Sequence, residues 1–407
     1  MKYIVLVGDG MADYPLEQLQ GKTPLEAAKT PNMDYIARNG QVGWAKTIPE
    51  RMAPASDVAN LSILGYDPTK FYTGRGPLEA ANMGIDLAKD EVAFRCNLVT
   101  TGEDKMLDYS SGHINNKEAH ILIKDLDKHL EEVGVRFYPG VSYRHLMVVK
   151  DLKPSLLKLK CVPPHNIVGQ SLSRNLPRGR NAKFLIDLMQ RAQGFLEEHE
   201  INKVRIDLKE HPANSIWLWG QGRRPAMPPF KKLYGVNGSV ISAVDLIKGI
   251  GRIIGLEPID VPGATGYYDT DYLAKGKYGI DSLENKDFIF IHVEAPDEAG
   301  HNGDLRAKIT AIERFDSQIV GQILKHFEEH KEPFRIMVLP DHYTPIPMRT
   351  HTSEPIFFAL CGEAVAKDKI CEFNESAAAE SKLSFPQGWQ LMNYFIKHDL
   401  PQGASLS

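Results

Sequence analysis

The sequence predicts an α/β protein: a mostly parallel sheet with helices on both faces, interrupted by a smaller inserted α+β domain. Three observations carry this. Tyr3 to Val7, Phe288 to Val293 and Phe334 to Leu339 are apolar, β-rich runs of the kind that fill a buried parallel sheet. Each run ends in acidic or histidine groups, namely Gly8-Asp9-Gly10, Glu294-Ala-Pro-Asp297 and Pro340-Asp341-His342. Between the second and third, Ile309, Ile312, Phe315, Ile319, Ile323 and Phe327 recur at three- and four-residue steps, which predicts a helix from about Leu305 to His330 and gives β-α-β order.

The middle of the chain has a different character. From about residue 85 to 230 it is basic and proline-rich in places, as at Pro163-Pro164, Arg223-Arg224-Pro225 and Pro228-Pro229, and it carries its own helical patterns at Lys117 to Val133 and Asn181 to Glu198. The acidic and histidine groups lie before and after it. The expected organisation is therefore a catalytic domain in two parts, 1–85 and 231–407, with 86–230 as an inserted substrate-binding lid.

Length and composition bound the rest. At 407 residues, 43% hydrophobic and 25% charged, the chain reads as an ordinary soluble globular protein of about two domains. A formal net charge of -4 gives no general field for nucleic acid, so groups that bind an anionic substrate must be clustered locally. Cys96, Cys161, Cys361 and Cys371 have no C-x-x-C spacing, and no apolar run approaches the roughly 20 residues that span a bilayer. The N-terminal apolar run meets Asp9 at once and reads as a strand, not a signal peptide. The expectation is a cytoplasmic protein with no nucleic-acid or membrane partner and an oligomeric state left open.

Several motifs resolve into decoys. Gly249-Ile-Gly251-Arg-Ile-Ile-Gly255 has a last spacing one residue too long for a dinucleotide fingerprint and follows a helical stretch. His326-Phe-Glu-Glu-His330 lacks the glutamate after the first histidine that a zinc protease uses, and it closes an amphipathic helix. Pro177 to Arg180 reads as an exposed basic loop. No G-x-x-x-x-G-K-[ST] phosphate loop occurs, which excludes a kinase of that type and leaves no nucleotide cofactor.

Seven residues stand apart: Asp9, Ser56, Asp297, His301, Asp341, His342 and His351. All but Ser56 are carboxylates or imidazoles suited to manganese, zinc or magnesium. Asp297 and His301 stand four residues apart after one strand, Asp341 and His342 are adjacent after the next, and His351 follows closely. Two divalent ions held together stabilise the charge of a transferring phosphoryl group and call for a hydroxyl nucleophile. Ser56, in a small-residue turn before a helical stretch, is either a helix N-cap or that nucleophile, and the six ligands favour the second.

The sequence resembles the cofactor-independent phosphoglycerate mutases, in particular the shorter archaeal type, within the alkaline phosphatase superfamily. The resemblance covers most of the chain. Its carriers are Val7-Gly-Asp-Gly10, Gly21-Lys-Thr-Pro-Leu-Glu-Ala-Ala28, Thr30-Pro-Asn-Met-Asp34, the run Ser56 to Pro68, Tyr72-Thr-Gly-Arg-Gly-Pro77, Asp297-Glu-Ala-Gly-His301 and Pro340-Asp-His342. It departs from the family pattern at Ala55, where glycine is common, and in the turn Pro345-Ile-Pro-Met-Arg349.

The resemblance implies an alkaline-phosphatase-like fold and interconversion of 3- and 2-phosphoglycerate through a phosphoserine at Ser56, without 2,3-bisphosphoglycerate. It implies one metal on Asp297, His301 and His351, a second on Asp9, Ser56, Asp341 and His342, and Lys248 facing the phosphate. Asp108-Tyr-Ser-Ser-Gly-His113 resembles the family's substrate-facing segment, which adds Asp108 and His113. Arg75 and Arg144 suit paired charge-assisted bonds to phosphate or carboxylate. The alternatives are transfer to another acceptor, such as homoserine, or a metal-dependent phosphatase.

Overall fold

The computed structural model describes residues 1–131, 134–151 and 155–398. The chain enters with β1 (Lys2–Gly8) and β2 (Gly40–Ala45). It then lays down β3 (Glu91–Gly102), β4 (Lys105–Asp108), β5 (Val135–Val141), β6 (Arg144–Lys150) and β7 (Ser215–Gly222). It returns with β8 (Gly238–Ile241), β9 (Glu257–Pro258), β10 (Phe288–Val293), β11 (Phe334–Leu339), β12 (Ile356–Gly362) and β13 (Ser384–Phe385). Contacts divide the chain into two compact units, residues 1–72 with 227 onward, and residues 73–226.

The larger unit is built on one sheet of order β13-β2-β12-β11-β1-β10-β8-β9. Parallel pairing joins β11, β1, β10, β8 and β9, and β12 alone runs against both of its neighbours. Ile4 to Val7 and Phe288 to Ile291 are fully buried, which is why these strands read as unbroken apolar runs and not as alternating ones. Register sets the functional end of the sheet. Val7 pairs with His292 on one side and Leu339 on the other, so the residues that follow β1, β10 and β11 emerge side by side.

After β10 the chain turns at once into the helix Ala295–Asn302, opened by Pro296 and closed by left-handed Gly303. Asp304 caps the next helix by accepting from Ala307 N at 2.9 Å. The predicted helix from Leu305 to His330 is present but not uniform: Leu305–Arg314 and Gly321–His330 are α-helical, and Phe315–Val320 between them is a π-helical turn. That turn carries buried Asp316, which accepts from Met33 N at 2.7 Å and Asn32 Nδ2 at 2.8 Å and so satisfies the amino end of the helix Pro31–Arg38.

The smaller unit is an antiparallel sheet in which β3 is the central strand, flanked by β6 and β7, with β5 beyond β6 and β4 folded back on the end of β3. Its core draws on Phe94, Leu98, Leu122, Leu126, Met147, Leu185, Leu196 and Trp217. The division falls at 72/73 and 226/227, where the sequence reading drew it at 85/86 and 230/231. The helix Arg75–Asn82 packs on β3 and β7, and Glu79 pairs with Arg95 at 3.0 Å, which ties residues 73–85 to this unit. The helix expected at Lys117 to Val133 runs Asn116–His129, capped by Asn115, and Val133 lies outside the described residues. The second expected helix runs Ala182–Glu197.

Among the described residues no helix is long and apolar enough to cross a membrane. All four cysteines are free.

Candidate metal centre

The seven residues singled out from the sequence converge where β1, β10 and β11 end. Asp9 follows β1, Asp341 and His342 follow β11, and Asp297 and His301 stand one turn apart on the helix after β10. Asp297, His301 and His351 bring three ligand atoms within 4.8 Å of one another, as do Asp9, Asp297 and His342. A third such group was not anticipated: Asp9, His292 and Asp341.

Asp297 lies between two imidazoles, with Oδ2 at 3.2 Å from His301 Nε2 and Oδ1 at 3.2 Å from His351 Nε2. The two Nε2 atoms are 2.9 Å apart. His301 Nδ1 donates to the Arg349 carbonyl at 3.1 Å, which fixes its tautomer and turns Nε2 inward. Burial pushes Asp297 up, but the His301 and His351 imidazoles outweigh it and hold the carboxyl well below its usual range. The hydrogen bond to Asp297 in turn lifts His301 to about 9.

His342 is fully buried and poised toward Ser56. Thr344 Oγ1 donates to Asp297 Oδ1 and accepts from His342 Nδ1 at 3.2 Å, so His342 Nε2 is the atom left to face Ser56 Oγ at 3.1 Å and Asp9 Oδ1 at 3.4 Å. Burial lowers the His342 pKa to about 4, which keeps the ring neutral.

Asp9 and Asp341 share the remaining space unequally. Asp341 accepts from Gly10 N at 3.1 Å, His342 N at 2.9 Å and Asn60 Nδ2 at 2.9 Å. Burial would raise its pKa, yet the His342 and His292 rings keep it below the usual carboxylate range. Among the described residues no backbone N–H or side-chain amide donates to the Asp9 carboxylate. Burial and the Asp341 and Asp297 carboxylates push it far up, and its Oδ1 makes no hydrogen bond although it is out of reach of solvent. A buried carboxylate oxygen without a partner, facing neutral imidazole and further carboxylates, fits a divalent cation.

Two local features set this geometry. Gly10 has φ +58°, and a Cβ there would stand 2.6 Å from Asp297 Oδ1 and 2.4 Å from Thr344 Oγ1, so only glycine lets β1 end beside Asp297. Ser56 is the first residue of the helix Ser56–Ile63, after extended Ala55, and Asn60 one turn on donates to both the Ser56 carbonyl at 2.8 Å and Asp341 Oδ2. Ser62, on the same helix, donates instead to the Thr47 carbonyl.

The other sequence candidates have partners of their own. Lys248 pairs with Asp260 at 2.6 Å and with none of the seven. Asp108, His113, Arg75 and Arg144 all belong to the smaller unit. Asp108 accepts from Ser110 N and Oγ, Gly112 N and His211 Nδ1, which folds the tight turn to His113; burial raises its pKa, but these donors bring it down to about 2. His113 lies edge-on to Tyr143 at 6.0 Å, Arg144 lies 5.9 Å from the same ring, and Arg75 and Arg95 lie over Trp219.

His292, Glu294, Asn60 and Thr344 were missed by sequence reasoning. The signal for His292 was present: it is the one polar residue inside the run Phe288 to Val293.

Comparison with known proteins shows the family. The family model described as 2,3-bisphosphoglycerate-independent phosphoglycerate mutase matches residues 37–202. A protein of that name from Methanosarcina barkeri is 50% identical over 98% of this chain and 100% of its own length. A Geobacter sulfurreducens protein, named a probable member, is 48% identical over 97% of this chain and all of its own. Among solved structures, a Pyrococcus horikoshii protein covers 99% of both chains with a TM-score of 0.81 at 30% identity. The cofactor-independent phosphoglycerate mutase of Thermoplasma acidophilum covers 98% of this chain and 100% of its own with a TM-score of 0.68 at 26% identity. The chain belongs to the family of 2,3-bisphosphoglycerate-independent phosphoglycerate mutases.

Proposed function

We propose that this chain interconverts 3-phosphoglycerate and 2-phosphoglycerate, with Ser56 carrying the phosphoryl group between the two hydroxyls of glycerate. The observation that supports it most is the placement of Ser56 Oγ 3.1 Å from His342 Nε2, beside the unpartnered oxygen of Asp9. Asp297, His301 and His351 would hold one divalent cation, and Asp9, Ser56, Asp341 and His342 a second. Manganese, zinc and magnesium all suit these donors. When bound, such ions lower the pKa of a hydroxyl and offset the charge of a phosphoryl group.

The chain's own residues then account for the transfer. Ser56 Oγ forms a bond to phosphorus while the bond from phosphorus to the substrate's 3-oxygen breaks; Ser56 gives up its hydroxyl proton and the departing oxygen takes one up. Glycerate turns, its 2-hydroxyl attacks the phosphoserine, and Ser56 is regenerated. The helix Ser56–Ile63 directs its amino end toward the same group, which favours the added negative charge. Recognition of the substrate carboxylate we assign to Arg75, Arg144 and His113, cationic or donor groups held against the Trp219 and Tyr143 rings.

The deciding experiment is an assay of 3-phosphoglycerate with the purified chain and manganese. Formation of 2-phosphoglycerate without added bisphosphoglycerate is expected. Release of inorganic phosphate alone, or ATP-dependent phosphorylation of homoserine in its place, would overturn the reading.

A further inference from the structure

Asp9 is held between two imidazoles, one on each oxygen. Oδ1 faces His342 Nε2 on the Ser56 side, and Oδ2 faces His292 Nε2, also at 3.4 Å. His292 belongs to β10 and is fully buried. The sheet itself sets it there, because Val7 pairs with His292 and Asp9 N donates to the Val293 carbonyl at 3.0 Å.

The ring is also held from behind. His292 Nδ1 lies 3.3 Å from Glu294 Oε1. Glu294 is fixed independently of the ring, since Oε1 accepts from Ser242 Oγ at 2.8 Å and Ala243 N at 2.7 Å, and Oε2 accepts from Lys275 Nζ at 2.7 Å. Lys275 Nζ also donates to the His292 carbonyl at 3.1 Å, closing the assembly without exposure to solvent. Each ring nitrogen therefore looks onto carboxylate oxygen, Glu294 at one end and Asp9 with Asp341 at the other. The Asn60 amide nearby already directs its hydrogens to Ser56 O and Asp341 Oδ2. Ser242 Oγ stands 3.5 Å from Nδ1 and Asn60 Nδ2 3.4 Å from Nε2, and a hydrogen on Nε2 is what the Asp9 oxygen can accept.

We propose that His292, clamped by Glu294 and Lys275, is a positioning residue that takes up Asp9 Oδ2 and leaves Oδ1 as the one oxygen Asp9 offers to a divalent cation. The inference rests on the two-cation reading above. Without the clamp, a carboxylate that has no other donor rotates, and the cation that Asp9 helps to hold loses a ligand in fixed orientation. The Asp297, His301 and His351 group has its own supports in Arg349 and Thr344 and does not depend on His292.

The test is calorimetric titration of Mn²⁺ into the metal-free full-length chain, with folding checked by circular dichroism and thermal melting. Wild type is expected to bind two equivalents. His292→Ala should weaken one of them by about 10- to 100-fold and leave the other unchanged. His292→Gln, whose amide N–H can reach Asp9, should recover part of the loss. Lys275→Met, which removes the donor to Glu294 Oε2 and to the His292 carbonyl, should weaken the same equivalent and decides the matter if His292→Ala does not fold. Equal weakening of both equivalents, or of neither, in folded variants would overturn the proposal. So would a wild-type stoichiometry one ion higher than that of His292→Gln, which makes the ring a ligand and not a clamp. A wild type that binds no pair of ions would instead sink the two-cation reading itself.

Discussion

Asn60 and Asp341 are joined by a 2.9 Å hydrogen bond, and through the same Asn60 amide the Ser56 carbonyl is tied to the end of β11. The first turn of the Ser56 helix is thus fixed to the sheet edge that presents His342, so the Ser56 hydroxyl has a set position relative to the carboxylate and imidazole cluster.

Ser56→Ala should leave the fold intact and lower turnover by at least about a thousandfold, because a lost covalent nucleophile is not replaced by binding. Protein quenched during turnover with labelled phosphoglycerate should carry phosphate on the peptide that contains Ser56. Label found only on the peptide with Ser110 and Ser111 would refute the assignment.

Chelation should abolish activity, and manganese affinity should climb as pH rises from about 6 to 9. The sign follows from His301, which Asp297 lifts to about 9 in the metal-free chain, so a cation must displace a proton at neutral pH. Dissociation constants at unit pH steps measure this; a flat profile would count against His301 as a ligand.

Lys308→Met should destabilise the larger unit by about 3–5 kcal/mol, because Lys308 Nζ pairs with Asp13 at 2.7 Å with both side chains fully buried, and one charge would be left alone. Lys308 also donates to the Thr344 carbonyl at 2.8 Å, and Thr344 bonds Asp297, so manganese binding should weaken as well. Replacing both partners with apolar residues should restore most of the thermal stability but not the metal affinity.

Acid should loosen the smaller unit through His145. This ring is fully buried, accepts from Gly140 N at 3.0 Å and is lowered to about 3, first by burial and then by His120. Its folded pKa lies below the unfolded value, so its contribution is complete above about 6.5 and is lost as pH falls toward 3, at up to about 1.4 kcal/mol per unit. His145→Asn, which keeps an acceptor for Gly140, should flatten that part of the melting-temperature profile. An unchanged profile would assign the acid sensitivity elsewhere.

Gly10→Ala should abolish activity while leaving the smaller unit's melting unaffected, since the new methyl group would press on Asp297 and Thr344. Retained mutase activity would show that Asp297 has room to move without loss of function.

Much of the cluster was legible because parallel strands buried on both faces leave few polar residues, and those at their carboxyl ends stand out, as Asp9, Asp297, Asp341 and His342 do. His292 is visible as the one polar residue in its apolar run, but its role is not: it reads as part of the strand, and only the register against Val7 brings it beside Asp9. Asn60 and Thr344 act through two side-chain hydrogen bonds each, which leave no periodic trace. Lys248 was carried by resemblance, and its observed partner, Asp260, stands twelve residues on along the chain. The inner boundary near residue 73 was hidden because the helix Arg75–Asn82 shows its allegiance only through packing on β3 and β7.

The central strand β1 is made first, yet its partners β10 and β11 begin only at Phe288 and Phe334. During synthesis the run Ile4 to Val7 has no neighbour to pair with until most of the chain has left the ribosome, whereas the smaller unit, residues 73–226, can complete its own antiparallel sheet long before. Such long-range pairing slows folding, since loop closure must come before any contact rewards it. The proposed ligands Asp9 and Asp341 are brought together only by that last step, so a divalent cation held there would not guide the nascent chain. Its effect should appear as slower unfolding of the finished protein and not as faster folding.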